Sequence, residues 1–272
     1  MNRLTILFAV AAIAAVSACG NNSGKKQKDS AGTTAKEQYL EKDLQIKLDS
    51  LVTEISRLGE IPVVAGIENG KVTLTEKEKT VKPEYLLSPS KAEEALTLSL
   101  KYRTATMLTI DMAVAGLYGM PVDGYENAIS KLLVEIDNPA MSAYLGKDAG
   151  QSESTVGDRI KALYDACVKN NTVNLFWDAA VAGIIEQMYI VTNNIDKFMP
   201  CFTDATAYEV TLRFVLVHEG IKALISEYPE LKNLENALKP LEVINAVNVE
   251  QLRSQLETLK AEIRTARNTL LS

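Results

Sequence analysis

Asp111 lies in the run MLTIDMAVAGLY, and Asp178, Glu186, Arg103, Arg213 and His218 are set among apolar residues of other segments in the same way. Ionisable groups in such surroundings are costly to bury unless they are paired and hydrogen-bonded. They allow two readings. In one, carboxylates and a base line a polar cleft between helices, where they hold a ligand or trade a proton. In the other they are internal salt bridges and helix-edge charges, and this reading is favoured because no spacing among them specifies a reaction. Paired carboxylates are also the raw material of metal and glycosidase sites, but no Glu-x-x-His motif accompanies them. His218 is the only histidine, which excludes a multi-histidine metal site. No signature marks a Ser or Cys as a nucleophile served by His218. Gly116, Gly119 and Gly124 lack the strand-to-helix context of a dinucleotide fingerprint. No metal and no cofactor is expected.

These groups need helices to hold them. The stretch from Thr172 to Thr192, TVNLFWDAAVAGIIEQMYIVT, is the most apolar part of the chain beyond its N-terminal leader and predicts a helix buried on nearly every side. It is long enough to cross a bilayer, but Asp178 and Glu186 inside it would each cost about 2.5–3.5 kcal/mol at the membrane centre, so a core helix is the better reading. Trp177, Phe176, Met188 and Tyr189 then belong to the core. Asp-Ala-Ala-Val-Ala-Gly at 178–183 echoes Asp-Met-Ala-Val-Ala-Gly at 111–116. The two small-residue strips predict neighbouring helices crossing closely at Gly116 and Gly183.

Around this centre, Leu44, Leu48, Leu51, Ile55 and Leu58 draw a narrow seam along a first helix that ends before Gly59 and Pro62. Val63–Thr75 places Asn69-Gly70 between two β-prone runs and suggests a small hairpin near 63–75. Ser90 with Glu93 predicts the start of a helix running to about Tyr118, Asp123 with Glu126 another, Thr155 with Asp158 a third, and Thr206 with Glu209 a fourth. Leu231, Leu234, Leu238 and Leu241 stripe a helix bent at Pro240. Asn248 with Gln251 opens the last, whose seam runs through Val249, Leu252, Leu256, Leu259, Ile263, Ala266 and Leu270. The fold class is therefore all-α: an irregular bundle of about eight helices over residues 37–272, a single domain, with its terminal helices flanking the central one.

Residues 1–18 combine Arg3, an apolar run and small residues, the pattern of a secretory signal peptide. Val16-Ser17-Ala18-Cys19 resembles the lipobox of bacterial lipoproteins, in which the cysteine becomes the acylated (palmitate-bearing) mature N-terminus. Several acyl chains suffice for a stable membrane anchor. Gly20–Lys36 is nearly free of apolar residues, so 19–36 reads as a flexible tether. An envelope location permits Cys167 and Cys201 to form a disulfide; two buried thiols are the other reading. The net charge of -6, with basic residues scattered along helices, argues against nucleic acid as a partner.

The lipobox, Lys101-x-Arg103 followed by Asp111 in one long helix, and Gly183-x-x-Glu186-x-x-Tyr189 in another together resemble the uncharacterised all-helical envelope lipoproteins of Bacteroidota. The resemblance implies no activity. It does imply that Arg103, Asp111, Glu186 and Tyr189 meet in space. No acidic run like the surface-export signal of such lipoproteins follows Cys19, so an outer-membrane anchor facing the periplasm is expected. The expected function is non-enzymatic: binding or scaffolding, with the membrane engaged through Cys19 and an envelope protein as the partner. The alternative is a small-ligand-binding protein or a hydrolase that uses the interhelical cluster of Arg103, Asp111, Asp178, Glu186 and Tyr189.

Overall fold

Apolar residues at spacings of three and four, closed off by Thr, Asn, Gly and Pro, set the helices. A computed structural model describes residues 31–145 and 154–272, with side chains from Lys42 onward. The expected signal peptide, Cys19, most of the expected tether and residues 146–153 lie outside the described residues. In chain order the helices are α1 (Ala31–Arg57), α2 (Pro62–Glu68), α3 (Glu76–Lys79), α4 (Leu98–Leu117), α5 (Asp123–Ile136), α6 (Pro139–Leu145) and α7 (Val156–Lys169), then α8 (Val173–Asn193), α9 (Ile195–Phe198), α10 (Asp204–Leu224), α11 (Lys232–Leu238), α12 (Val249–Thr258) and α13 (Lys260–Leu270). Short 3-10 turns occupy Pro89–Glu93, Met199–Cys201, Pro229–Leu231 and Lys239–Val243. The described residues are all-helical and contain no strand. Met1–Glu41 and Lys42–Ser272 form two separate units, and the second contains everything described below.

The helices outnumber the eight expected because short helices fill segments between the expected ones and the last helix divides, and three expected helices differ in extent. Ser88, not Ser90, caps a 3-10 turn that begins at Pro89, and α4 starts only at Leu98, with Thr97 Oγ1 accepting from Leu100 N–H at 3.2 Å. Pro240 sits in a 3-10 turn that follows α11 rather than bending one longer helix. The last helix breaks at Leu259 into α12 and α13, while its seam residues from Leu252 to Leu270 remain buried. Thr203 rather than Thr206 caps α10. Thr155 and Asp158 form the capping box read from the sequence.

The hairpin expected near 63–75 is a helix. Pro62 occupies the first turn of α2, where a missing N–H costs nothing. Asn69-Gly70 ends that helix: Gly70 has φ +67°, and the N–H groups of Lys71 and Val72 both donate to the Gly66 carbonyl. The same left-handed glycine that suits a hairpin turn suits a helix C-terminus.

α8 is the centre. By length and composition it is the one described helix fit to span a membrane, but 89% of its most apolar window is buried in protein. Against it lie α4, α7, α10 and α13. Arg103 pairs with Asp178, Thr106 meets Gly183 and Asp111 lies beside Glu186, so α4 and α8 run parallel. They are neighbours, as the small-residue strips predict, but the contact is not where those strips predict it. Gly116 is exposed and a Cβ there would meet only Val122. A Cβ on Gly183 would rest 3.6 Å from Thr106 Cγ2, an ordinary contact. The tight crossing is between α8 and α10, where a Cβ on Gly220 would fall 2.2 Å from the ring of Trp177.

α1 docks through Leu48, Val52 and Ile55. The Tyr164 hydroxyl of α7 donates to Asp49 Oδ1 at 2.7 Å and accepts from Gln45 Nε2 at 2.8 Å. Gly157 lets the start of α7 approach the carbonyl of Ser56.

Candidate functional site

The sequence-predicted polar residues divide into two ion-pair groups, both tied to the C-terminal helix. In the first, Asp178 is wholly buried on α8 and its Oδ1 accepts from Arg103 Nε at 2.7 Å. Arg103 Nη1 reaches on to the carbonyl of Leu270, one of the carbonyls left open at the end of α13.

In the second, Asp111 and Glu186 are both fully buried, and Arg267 of α13 inserts between them. Its Nε and Nη2 donate to the two Glu186 oxygens at 2.7 and 2.8 Å, a bidentate fork. Nη2 also lies 3.5 Å from Asp111 Oδ2, which accepts the Leu87 N–H at 2.6 Å. Tyr125 fixes that loop by donating to the Leu87 carbonyl at 3.0 Å. The guanidinium stacks over Tyr189 at 4.3 Å, and Tyr85 meets the same ring edge-on. Asp111, Glu186 and Tyr189 therefore come together, while Arg103 belongs to Asp178. Arg267 takes the place that Arg103 was expected to fill.

Two carboxyls face one guanidinium here, and burial weighs against a second negative charge. Burial, and next the charge of Glu186, push the Asp111 carboxyl well above its ordinary value, against the pull of Arg267 and the Leu87 N–H. Asp111 Oδ1 accepts no hydrogen bond, and it is the oxygen free to carry the proton toward Glu186. Burial opposes the Arg267 charge, but Glu186 and then Asp111 outweigh it and raise its pKa. Every member has a partner, and none is open to solvent.

His218 is buried elsewhere, with Nδ1 3.0 Å from Glu242, and burial lowers its pKa. Cys167 and Cys201 are free thiols, each buried, in place of the disulfide that was the other option. Burial pushes the Cys167 thiol up to about 11 and also raises that of Cys201, which packs against Gly66. Cys19 lies outside the described residues.

What the sequence reading missed is a cavity of about 490 Å³ bounded by α2, α4, α7, α8 and α10. Its floor is apolar: Ile110, Ile160, Leu163, Phe176, Ile184 and Val217. In the interior of α8 only Ala180 and Gly183 are not fully buried, and in mid-α4 only Thr109, Met112 and Ala113; all five line the cavity. The small residues thus hold space open rather than drawing two backbones together.

At one corner the lining turns polar. Arg213, 7% exposed, donates from Nη2 to the Gly59 carbonyl and has no carboxylate within ion-pair distance among the described residues. Arg159 Nη2 is 3.5 Å from Glu60, while its Nε has no hydrogen-bond partner. Burial, followed by the charge of Glu68, raises the pKa of Glu60 against the pull of Arg159. Tyr144 lies close enough to both guanidiniums to feel their charge, although burial keeps its pKa raised. Gln187, 8% exposed, keeps its Oε1 unpartnered in the wall. Arg267 had one sequence signal, four residues after seam position Ile263 and beside Ala266. The cavity had another, the Ala/Gly strip, which carries two opposite meanings.

The chain matches none of the family models, curated proteins or solved structures with which it was compared.

Proposed function

We propose that this chain is a lipid-anchored envelope protein that binds a small amphipathic molecule in the cavity beside α8, without performing chemistry on it. The observation that carries this reading is the cavity: about 490 Å³, apolar in its floor and polar at one corner. Those are the size and lining of a ligand site. Asp111, Glu186 and Arg267 favour binding over hydrolysis, since they are buried and the Arg267 fork is closed on Glu186. The lipobox at Cys19 and the apolar leader before it support an acylated anchor at the outer membrane, facing the periplasm.

The nonionic fluorescent probe N-phenyl-1-naphthylamine tests the cavity. Saturable binding at one site is expected, abolished by Ala180→Trp, which fills the space from α8. Binding unaltered in that variant, or no binding to the parent, would refute the cavity as the site. Cys19→Ser should release the protein from membranes, and a variant that still sediments with them removes the anchor from the proposal.

A further inference from the structure

We infer that the ligand is an amphiphilic carboxylic acid, its carboxylate held by Arg213, Arg159 and Tyr144 and its apolar body laid along the Ala180–Gly183 strip. The inference rests on the cavity being a ligand site and adds the chemical class of what it takes.

Charge decides the class. Arg213 is buried, and an arginine this far from water ordinarily has a carboxylate in its fork. Here its one hydrogen bond goes to a backbone carbonyl, that of Gly59. Glu209, one turn earlier on α10, attracts it electrostatically but is not within ion-pair distance. Arg159, from α7, is only loosely held: its contact with Glu60 is 3.5 Å, and among the described residues its Nε has no hydrogen-bond partner. Glu60, the acid nearest Arg159, is itself discouraged from ionising by burial and by Glu68. Among the described residues neither guanidinium thus has its fork closed on a carboxylate. The Tyr144 hydroxyl is raised by burial and so remains a donor.

Guanidinium forks match the planar oxygens of a carboxylate, and the surrounding apolar wall strengthens such a pairing by lowering the local dielectric. The remaining acids fix the orientation. Glu68 borders the cavity from α2 and acts on Glu60 rather than on the arginines, so an anionic head is favoured on the side of Arg213 and Arg159. A cation has the converse difficulty, since it must displace Arg159 from Glu60 while leaving Arg213 uncompensated. Gln187 Oε1 is a buried acceptor with no donor, and a hydroxyl or amide N–H on the apolar body would satisfy it. A carboxylic acid carrying one such donor would answer Arg213, Arg159 and Gln187 together.

The test uses three probes of equal chain length on the full-length protein: decanoate, decanol and decyltrimethylammonium. Each is titrated against bound N-phenyl-1-naphthylamine. Decanoate is expected to displace the dye at a concentration at least tenfold below decanol, and decyltrimethylammonium to be the weakest. Arg213→Gln and, separately, Arg159→Gln should erase the advantage of decanoate over decanol while leaving decanol unchanged. Using both variants keeps the test decisive if one of them fails to fold. Displacement by decanol as effective as by decanoate, or a preference for the cation, overturns the carboxylate assignment while leaving the cavity as a ligand site. A dye that does not bind the parent protein overturns both. A carboxylate preference that survives both arginine substitutions overturns the assigned residues.

Discussion

Two regions of this molecule take charge below the surface, and they do so in opposite ways. Around Arg267 the fork is closed on Glu186, burial and the Glu186 charge disfavour ionisation of Asp111, and the aromatic faces of Tyr189 and Tyr85 cover what remains. Around Arg213 and Arg159 the guanidiniums hold one backbone carbonyl and one loose carboxylate contact among the described residues, and they border open space of about 490 Å³. Burial of ionisable residues does not by itself separate a structural pair from a binding site. What separates them is whether the guanidinium fork has been closed on a carboxylate within the chain.

The sealed region should respond most strongly to the loss of one partner. Arg267→Gln leaves Glu186 and Asp111 buried without a cation, at a cost of about 3–5 kcal/mol. For a domain of this size that is a fall in melting temperature on the order of 10 °C. A fall of only a few degrees in calorimetry would mean that the cluster is not what joins α13 to α4 and α8.

The open region should tolerate the same substitution far better. Arg213→Gln removes a hydrogen bond to Gly59 and a poorly compensated buried charge, so roughly 1–2 kcal/mol is expected. A cost equal to that of Arg267→Gln would erase the distinction between the two regions.

Near pH 4 the smallest effect belongs to Asp111→Asn, and its value lies in its pH dependence. A carboxyl whose folded pKa is raised contributes stability that is fully present below its unfolded value of about 4 and is lost as pH rises toward the folded one. Asn is neutral throughout and keeps an acceptor for the Leu87 N–H and a donor for Glu186. At pH 4 the variant and the parent should melt within a degree or two of each other. As pH rises toward 7 the variant should gain on the parent, and thermal melts at several pH values would show it. A variant that loses ground with rising pH would mean that Asp111 is ionised in the folded chain and that the proton balance described above is wrong.

Much of this was legible in the residues themselves. The central helix, its ends, and the burial of Asp178 and Glu186 within it follow from an apolar run with two acids, because such a run can be satisfied only in a core that supplies cations. The capping box at Thr155 and Asp158 and the seam from Leu252 to Leu270 are local, and local hydrogen bonds and helical period determine them. Three things were decided only in three dimensions. Asn69-Gly70 supplies a positive φ, which a hairpin and a helix end accept equally, and Pro62 at the start of α2 turned the choice. Arg267 displaced Arg103 beside Glu186 because the parallel register of α4 and α8 brings Arg103 to Asp178 and leaves the other acids to the docking terminal helix. The Ala/Gly strip of α8 marks either a close contact or an open space. Which of the two it becomes depends on what the neighbouring helices place opposite, and a side chain's absence cannot state that in one dimension.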